Sequence, residues 1–175
     1  EFTLLGYCMG GTMSLMYAAL FPEKLRNLLL LTTPCDFTPE HLGLYGVFTS
    51  ARHFHPDRLT DALGNIPGEL IDHGNRLVKP VANYVGSYLS MWDRVLNDKP
   101  MDLWLAMSKW VNDGVAFPGA AFKQWIREFY QENNLARGKF VLRGRRVDLS
   151  KILCPVLNVA GIQDHICSLP QAEAT

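Results

Sequence analysis

The 175-residue chain has no excess of charge of either sign, no long apolar run and no paired-cysteine motif. Lys plus Arg and Asp plus Glu both number 17, so the formal net charge is zero and nothing indicates nucleic-acid binding. The longest apolar run, Leu28 to Leu31, is far too short to cross a bilayer, so no transmembrane segment is expected. The four cysteines lack Cys-x-x-Cys spacing, which argues against a metal site and favours free thiols in a reducing cytosol.

A glycine-rich turn near residue 1 is the most informative motif of the chain. The apolar run Phe2 to Leu5 predicts a buried strand, Thr12 to Phe21 predicts a helix, and Cys8 lies in the turn between them. The spacing Gly-x-Cys-x-Gly is typical of the nucleophile elbow of an α/β-hydrolase fold, with cysteine in the usual place of serine. We therefore expect a parallel sheet with Cys8 at the tip of a strand–turn–helix unit.

The elbow assigns a role to each residue around Cys8. Gly6 and Gly10 are expected to be glycines because a side chain at either position would collide in so tight a turn. The positive N-terminal end of the following helix is expected to lower the pKa of the Cys8 thiol. The Met9 amide is expected to donate to an oxyanion. The alternative is a buried structural cysteine in a glycine-rich turn.

The chain divides into three predicted blocks. Residues 1–36 form the first part of the hydrolase core, 37–138 a helical cap or lid insertion, and 139–175 the second, incomplete part of the core. The aromatic side chains of the insertion are expected to form mainly its own core. Because strands normally precede the elbow in this fold, we expect the chain to be an internal piece of a larger catalytic domain.

Asp164 is the predicted catalytic acid. It follows the predicted strand Pro155 to Ala160, and catalytic side chains collect beyond the carboxyl ends of parallel strands. The order nucleophile, acid, histidine places the base later still, so we expect the histidine beyond Thr175 rather than at His165. Asp164 could instead only cap its own turn, and Asp36 is a weaker alternative acid.

No cofactor or metal is predicted. His53 and His55 could suggest a metal pair, but no third ligand stands nearby in the sequence, and a solvated or packed role is expected for them.

Several motifs resemble the polyhydroxyalkanoate synthases, most closely the shorter catalytic subunits that work with a second subunit. The likeness is clearest at the elbow. Segments of the predicted cap and the segment around Asp164 follow in the same order as in that family. The matching stretches are Gly6 to Thr12, Tyr17 to Ala19, Phe21 to Lys24, Trp110 to Asp113, Phe129 to Asn133, Val147 to Leu149, and Asp164 to Ile166.

The resemblance implies a cytoplasmic acyltransferase that works on the surface of polyester granules. Its substrate would be an (R)-3-hydroxyacyl-coenzyme A thioester, its nucleophile Cys8 and its acid Asp164. A second synthase subunit and a homo-oligomer are the implied partners. The competing interpretations are a cysteine hydrolase of the dienelactone-hydrolase type, which lacks so long a helical insertion, and a noncatalytic granule-associated homologue.

Overall fold

The computed structural model describes residues 1–97 and 100–175; residues 98 and 99, inside the predicted insertion, lie outside the described part. The described chain separates into two compact units. The first comprises Glu1–His55 and Gln124–Thr175, and the second comprises Pro56–Lys123. We call them the sheet unit and the helical unit and describe each by itself.

The sheet unit is built on three parallel strands in the order β1-β2-β5. Strand β1 (Phe2–Tyr7) pairs with β2 (Leu25–Leu31), and β2 pairs with β5 (Val156–Val159). The central strand is the most buried of the three, as expected for a strand paired on both sides. Because all three strands run the same way, the loops that follow them leave from one edge of the sheet.

Helix α1 (Met9–Leu20) connects β1 to β2 and buries one side against the sheet. It begins three residues earlier than its predicted start, directly after Cys8. Pro22 ends it, and a 3₁₀ turn, Pro22–Lys24, leads into β2. The buried members of the apolar core formed there are Leu15, Ala18, Leu25, Leu28, Leu30 and Cys35.

Four smaller elements lie in the C-terminal part of the sheet unit. Strands β3 (Val141–Leu142) and β4 (Arg145–Arg146) form an antiparallel hairpin, whose turn residues Arg143 and Gly144 both have positive φ. A 3₁₀ turn, Leu149–Lys151, packs on α1. Helix α8 (Leu169–Glu173) follows β5 and begins with a capping box at Ser168.

The sheet unit takes in more of the chain than predicted, because residues 37–55 and 124–138 belong to it. These segments contain a 3₁₀ turn (Pro39–His41), α2 (Leu44–Thr49) and a π-helical turn (Ile126–Gln131). They are joined by aromatic packing around Phe37, whose ring lies 5.5 Å from that of Phe129. The compact helical unit, 56–123, is therefore narrower than the predicted insertion 37–138, and its role as a cap stays a prediction.

The helical unit contains short helices joined by turns. They are α3 (Pro56–Leu63), α4 (Gly68–Arg76), a π-helical turn (Val81–Gly86), α5 (Ser87–Leu96), α6 (Asp102–Asn112) and the start of α7 (Gly119–Trp125). The expectation that its aromatic residues form its own core is wrong for Tyr88, Trp92 and Trp110, which are exposed. Ile66, Val78 and Phe122 are buried instead.

Among the described residues, no helix combines the length and apolarity needed to span a bilayer. Within the same residues, no group of three or more His, Cys, Asp or Glu side chains is arranged to hold a metal ion. The four cysteines are free, with Cys35 and Cys167 buried and Cys8 and Cys154 half-buried.

Candidate active site

Cys8 occupies a strained turn between β1 and α1. Its backbone has φ 52° and ψ −124°, an unusual conformation for a residue with a side chain and one that is typical of a nucleophile elbow. The Cys8 amide donates to the carbonyl of Leu31 (2.9 Å), and the Cys8 carbonyl accepts from the amide of Gly11 (2.9 Å). The turn is therefore held from both sides, by the neighbouring strand and by the first turn of the helix.

Two glycines make this turn possible, and one of them differs from the prediction. A Cβ at Gly6 would lie 2.5 Å from Cα of Gly11 and 2.6 Å from Oγ of Ser14, so Gly6 is required. A Cβ at Gly11 would collide with the side chain of Thr33. A Cβ at Gly10 would meet none of the described residues, because Gly10 lies on the exposed side of α1. The expected collision at Gly10 is therefore wrong, and Gly11 is the second crowded position.

The environment of the Cys8 thiol also differs from expectation. Burial raises the pKa of Cys8 above its ordinary value; a hydrogen bond from the Met9 amide acts in the opposite direction, and the negative charge of Asp164 raises the pKa further. The expected lowering by the helix end is thus outweighed by desolvation. A thiol in this environment is protonated at neutral pH and needs a base before it can act as a nucleophile.

Asp164 lies in the loop after β5, at the same edge of the sheet as Cys8. Its Oδ1 accepts hydrogen bonds from the amides of Ile166 (2.9 Å) and Cys167 (3.0 Å), so the carboxylate does cap its own turn. The same carboxylate interacts electrostatically with Cys8. The structure therefore brings the predicted nucleophile and acid into one neighbourhood, and the turn holds the carboxylate in place.

Two tyrosines and a second cysteine share this neighbourhood and were not predicted. Burial raises the pKa of Tyr45 to about 12, with further contributions from Cys8 and Asp164. Burial likewise raises the pKa of Cys167 to about 12, again with Asp164 and Cys8 contributing. Tyr130 stands beside Tyr45, with ring centroids 6.3 Å apart, and burial raises its pKa as well. No motif marks these residues, because only the folded chain brings residues 45 and 130 to the elbow.

Asp36, the alternative acid, is committed to other partners. Its Oδ1 accepts from the Thr38 amide (2.9 Å), the Thr38 hydroxyl (2.7 Å) and Nδ2 of Asn133 (2.6 Å). Its Oδ2 lies 3.2 Å from Nδ1 of His41, although not in hydrogen-bond geometry. Burial alone would raise the pKa of Asp36, but the bonds from Thr38 and Asn133 outweigh it and lower the pKa. These contacts favour a structural role for Asp36.

Comparison with known proteins agrees with the strand, elbow and helix described above. Residues 1–173 match the α/β-hydrolase fold. The chain belongs to this family. The predicted fold class is thereby confirmed.

Three relatives specify the likeness further. The chain is 40% identical over 163 residues to a poly(3-hydroxyalkanoate) polymerase subunit PhaC of Haloferax mediterranei. The aligned region covers 93% of this chain and 33% of that protein. The chain is 41% identical over 164 residues to the PhaC subunit of Allochromatium vinosum (93% and 45%), and 35% identical over 169 residues to that of Synechocystis (95% and 45%). The resemblance to polyhydroxyalkanoate synthases is confirmed, and the chain spans less than half the length of these relatives.

Proposed function

We propose that this chain is the nucleophile-bearing part of a polyester synthase. The enzyme would transfer (R)-3-hydroxyacyl groups from coenzyme A thioesters to a growing polyhydroxyalkanoate chain. The single observation that carries this proposal is a cysteine in elbow geometry, next to a carboxylate, in a chain 35–41% identical to polymerase subunits. Cys8 would carry the acyl group, and Asp164 would be the catalytic acid.

The reaction begins with transfer of the Cys8 proton to a base. The sulfur then attacks the thioester carbonyl, a new C–S bond forms, and the bond to the coenzyme A sulfur breaks. The proton passes from the base to the departing coenzyme A thiolate. A hydroxyl group of the next monomer or chain end then attacks the Cys8 thioester and loses its proton to the base. An ester C–O bond forms, the C–S bond to Cys8 breaks, and the base returns the proton to the Cys8 sulfur.

The raised pKa of Cys8 gives the base a defined task in this mechanism. Because burial disfavours the thiolate, Cys8 would stay protonated until substrate arrives, which limits side reactions of a free thiolate. By the family resemblance the base is a histidine. Asp164 would orient this histidine and stabilise its charged form. General acid–base catalysis of this kind typically raises the reaction rate by about 10²–10⁴-fold.

The Met9 amide supports oxyanion stabilisation, because it already points at the Cys8 sulfur. The half-buried tyrosine pair, Tyr45 and Tyr130, would help to exclude water that could hydrolyse the acyl-enzyme. A cytoplasmic location on polyester granules, a second synthase subunit and a homo-oligomeric state complete the proposal.

Two other functions remain to be distinguished by experiment. A cysteine hydrolase of the dienelactone-hydrolase type would share the elbow, and the helical unit between β2 and β5 argues against that compact group. A noncatalytic granule-associated homologue would keep the elbow without turnover.

The test uses the full-length protein with 3-hydroxybutyryl-coenzyme A and, separately, a dienelactone. A synthase releases coenzyme A, accumulates polymer and carries an acyl group on the peptide containing Cys8, as seen by mass spectrometry. Lactone opening without coenzyme A release would replace the proposal with the hydrolase. Loss of both activities in a folded protein would favour the noncatalytic homologue.

A further inference from the structure

The residues from 137 to 151, here called the basic segment, concentrate positive charge in a chain with no net charge. The segment contains six of the 17 Lys and Arg residues and a single carboxylate, Asp148. All six cations are exposed; they are Arg137, Lys139, Arg143, Arg145, Arg146 and Lys151. A cluster of this size creates a local positive potential that the zero net charge of the whole chain conceals.

Asp148, the single carboxylate of the segment, interacts electrostatically with Lys151 and Arg146, which leaves the cations in excess. Among the described residues, none of the six forms a salt bridge. The Asp148 carboxylate accepts from the hydroxyl (2.6 Å) and amide (3.1 Å) of Ser150, and these bonds lower its pKa. Glu128 and Glu132, which precede the segment, are both bound by Nδ2 of Asn134 at 2.7 Å. The positive charge therefore faces solvent.

The fold holds the segment in a defined place. Arg145 donates to the carbonyl of Leu20 (2.7 Å), and its guanidinium lies 4.8 Å from the Phe21 ring centroid. Lys24 lies 4.9 Å from the same ring and extends the positive surface. Arg146 donates to the carbonyl of Gly138 (2.6 Å), which ties the two ends of the hairpin region together.

This surface lies away from the candidate active site. Arg145 is bound at the C-terminal end of α1, whereas Cys8 precedes its N-terminal end. A helix of 12 residues separates its ends by about 18 Å, at 1.5 Å per residue. The basic segment has no role in the proposed chemistry, and an inference from it stands or falls independently of that chemistry.

We propose that the basic segment docks the protein on an anionic phospholipid surface. Anionic headgroups attract exposed Lys and Arg side chains, and each cation close to such a surface strengthens binding about fivefold. Two exposed apolar side chains accompany the cations, Val141 (48% exposed) and Leu153 (85% exposed), and they can enter the headgroup region.

Nucleic acid fits this surface less well. The only aromatic residue of the basic segment, Phe140, is buried and offers no stacking platform. The hairpin strands have two residues each, too short to read a groove.

The test is cosedimentation of the full-length protein with phosphatidylcholine vesicles, prepared with and without phosphatidylglycerol, at low and high salt. The test variant carries Arg137→Gln, Lys139→Gln and Arg143→Asn; asparagine suits the positive φ of residue 143. Because each cation near the surface strengthens binding about fivefold, the affinity of the triple variant for anionic vesicles should fall by about 100-fold. High salt should weaken binding of the parent protein.

A matched control removes three exposed cations elsewhere, through Arg52→Gln, Lys79→Gln and Lys109→Gln. It should bind anionic vesicles as the parent does, and unchanged urea unfolding midpoints should show that both variants are folded. Equal binding of the parent and the test variant would overturn the proposal, as would equal loss in both triple variants. The proposal would also be overturned if the parent protein did not bind anionic vesicles but bound DNA or polyglutamate, because the surface would then belong to another class of partner.

Discussion

The sheet unit and the helical unit bury apolar surface to very different extents. In the sheet unit, Leu15, Leu28, Leu30 and Phe37 are almost completely buried. In the helical unit, neither α5 nor α6 contains a buried residue, although both helices contain tryptophan and leucine. The same residue types thus contribute packing energy in one unit and solvent-exposed surface in the other. Composition alone does not reveal this difference, because burial depends on what surrounds a side chain.

The largest effect is expected for substitution of Cys8, the proposed nucleophile in the sheet unit. Cys8→Ala in the full-length protein should abolish both polymer formation and acyl labelling, because no other atom can carry the acyl group in the proposed mechanism. The half-buried Cys154 offers a matched control, and Cys154→Ala should retain labelling. Normal labelling of the Cys8→Ala protein would refute the assignment of the nucleophile.

Asp164→Asn should slow turnover by about 10²–10⁴-fold while leaving Cys8 able to be acylated. The asparagine keeps the side-chain oxygen that accepts from the Ile166 and Cys167 amides, so the turn is preserved and charge is the main change. Steady-state coenzyme A release measures the rate, and mass spectrometry measures labelling. A rate equal to that of the parent would remove Asp164 from the mechanism.

The difference in burial predicts unequal costs for the same substitution. Leu28→Ala, at a position with 0% exposure, should lower the free energy of unfolding by about 2–5 kcal/mol. Leu103→Ala, at a position with 66% exposure, should change it by no more than about 0.5 kcal/mol. Urea unfolding of the full-length variants makes the measurement. Equal costs would mean that Leu103 is covered in the full-length protein and that the contrast between the units is false.

Two asparagines extend the comparison to hydrogen bonds. Buried Asn133 bonds Asp36 and the Phe37 amide, so Asn133→Ala should cost about 1–3 kcal/mol in unfolding free energy. Asn133→Gly separates the backbone contribution, because residue 133 has φ 51° and glycine adopts it freely. Asn97→Ala, in the exposed end of α5, should cost no more than about 0.5 kcal/mol. Stability of Asn133→Gly equal to the parent would show that only the backbone conformation matters.

The smallest effect concerns the pH dependence of Cys8. Burial is the main cause of its raised pKa and the Asp164 charge a lesser one, so Asp164→Asn should lower that pKa modestly. Iodoacetamide labelling of Cys8, which needs the thiolate, should then begin at lower pH. Asp113→Asn in the helical unit is the control and should leave the labelling profile unchanged. A shift to higher pH would contradict the electrostatic arrangement described here.

Motifs that rely on neighbours in the chain were the easiest to predict. The strand, turn and helix around Cys8 follow from apolar runs and glycine spacing. The bounds of the helical unit were harder, because Asn133 and Phe129 join the sheet unit through contacts with residues almost a hundred positions earlier. Local patterns carry no information about such pairings.

The pKa of Cys8 also could not be predicted from the sequence. The expected lowering of the Cys8 pKa considered only the helix end, which is a local feature. Desolvation by the surrounding fold has the larger effect and the opposite sign.

The order of residues determined the cysteine elbow, the apolar strands and the loop position of the downstream carboxylate, since each depends on the succession of apolar and turn residues along the chain. The tertiary structure decided which glycines are crowded, how strongly the thiol holds its proton, and which tyrosines stand beside it. It also decided which apolar side chains are buried. These properties depend on the distance and dielectric surroundings of groups far apart in the chain, and only folding sets those.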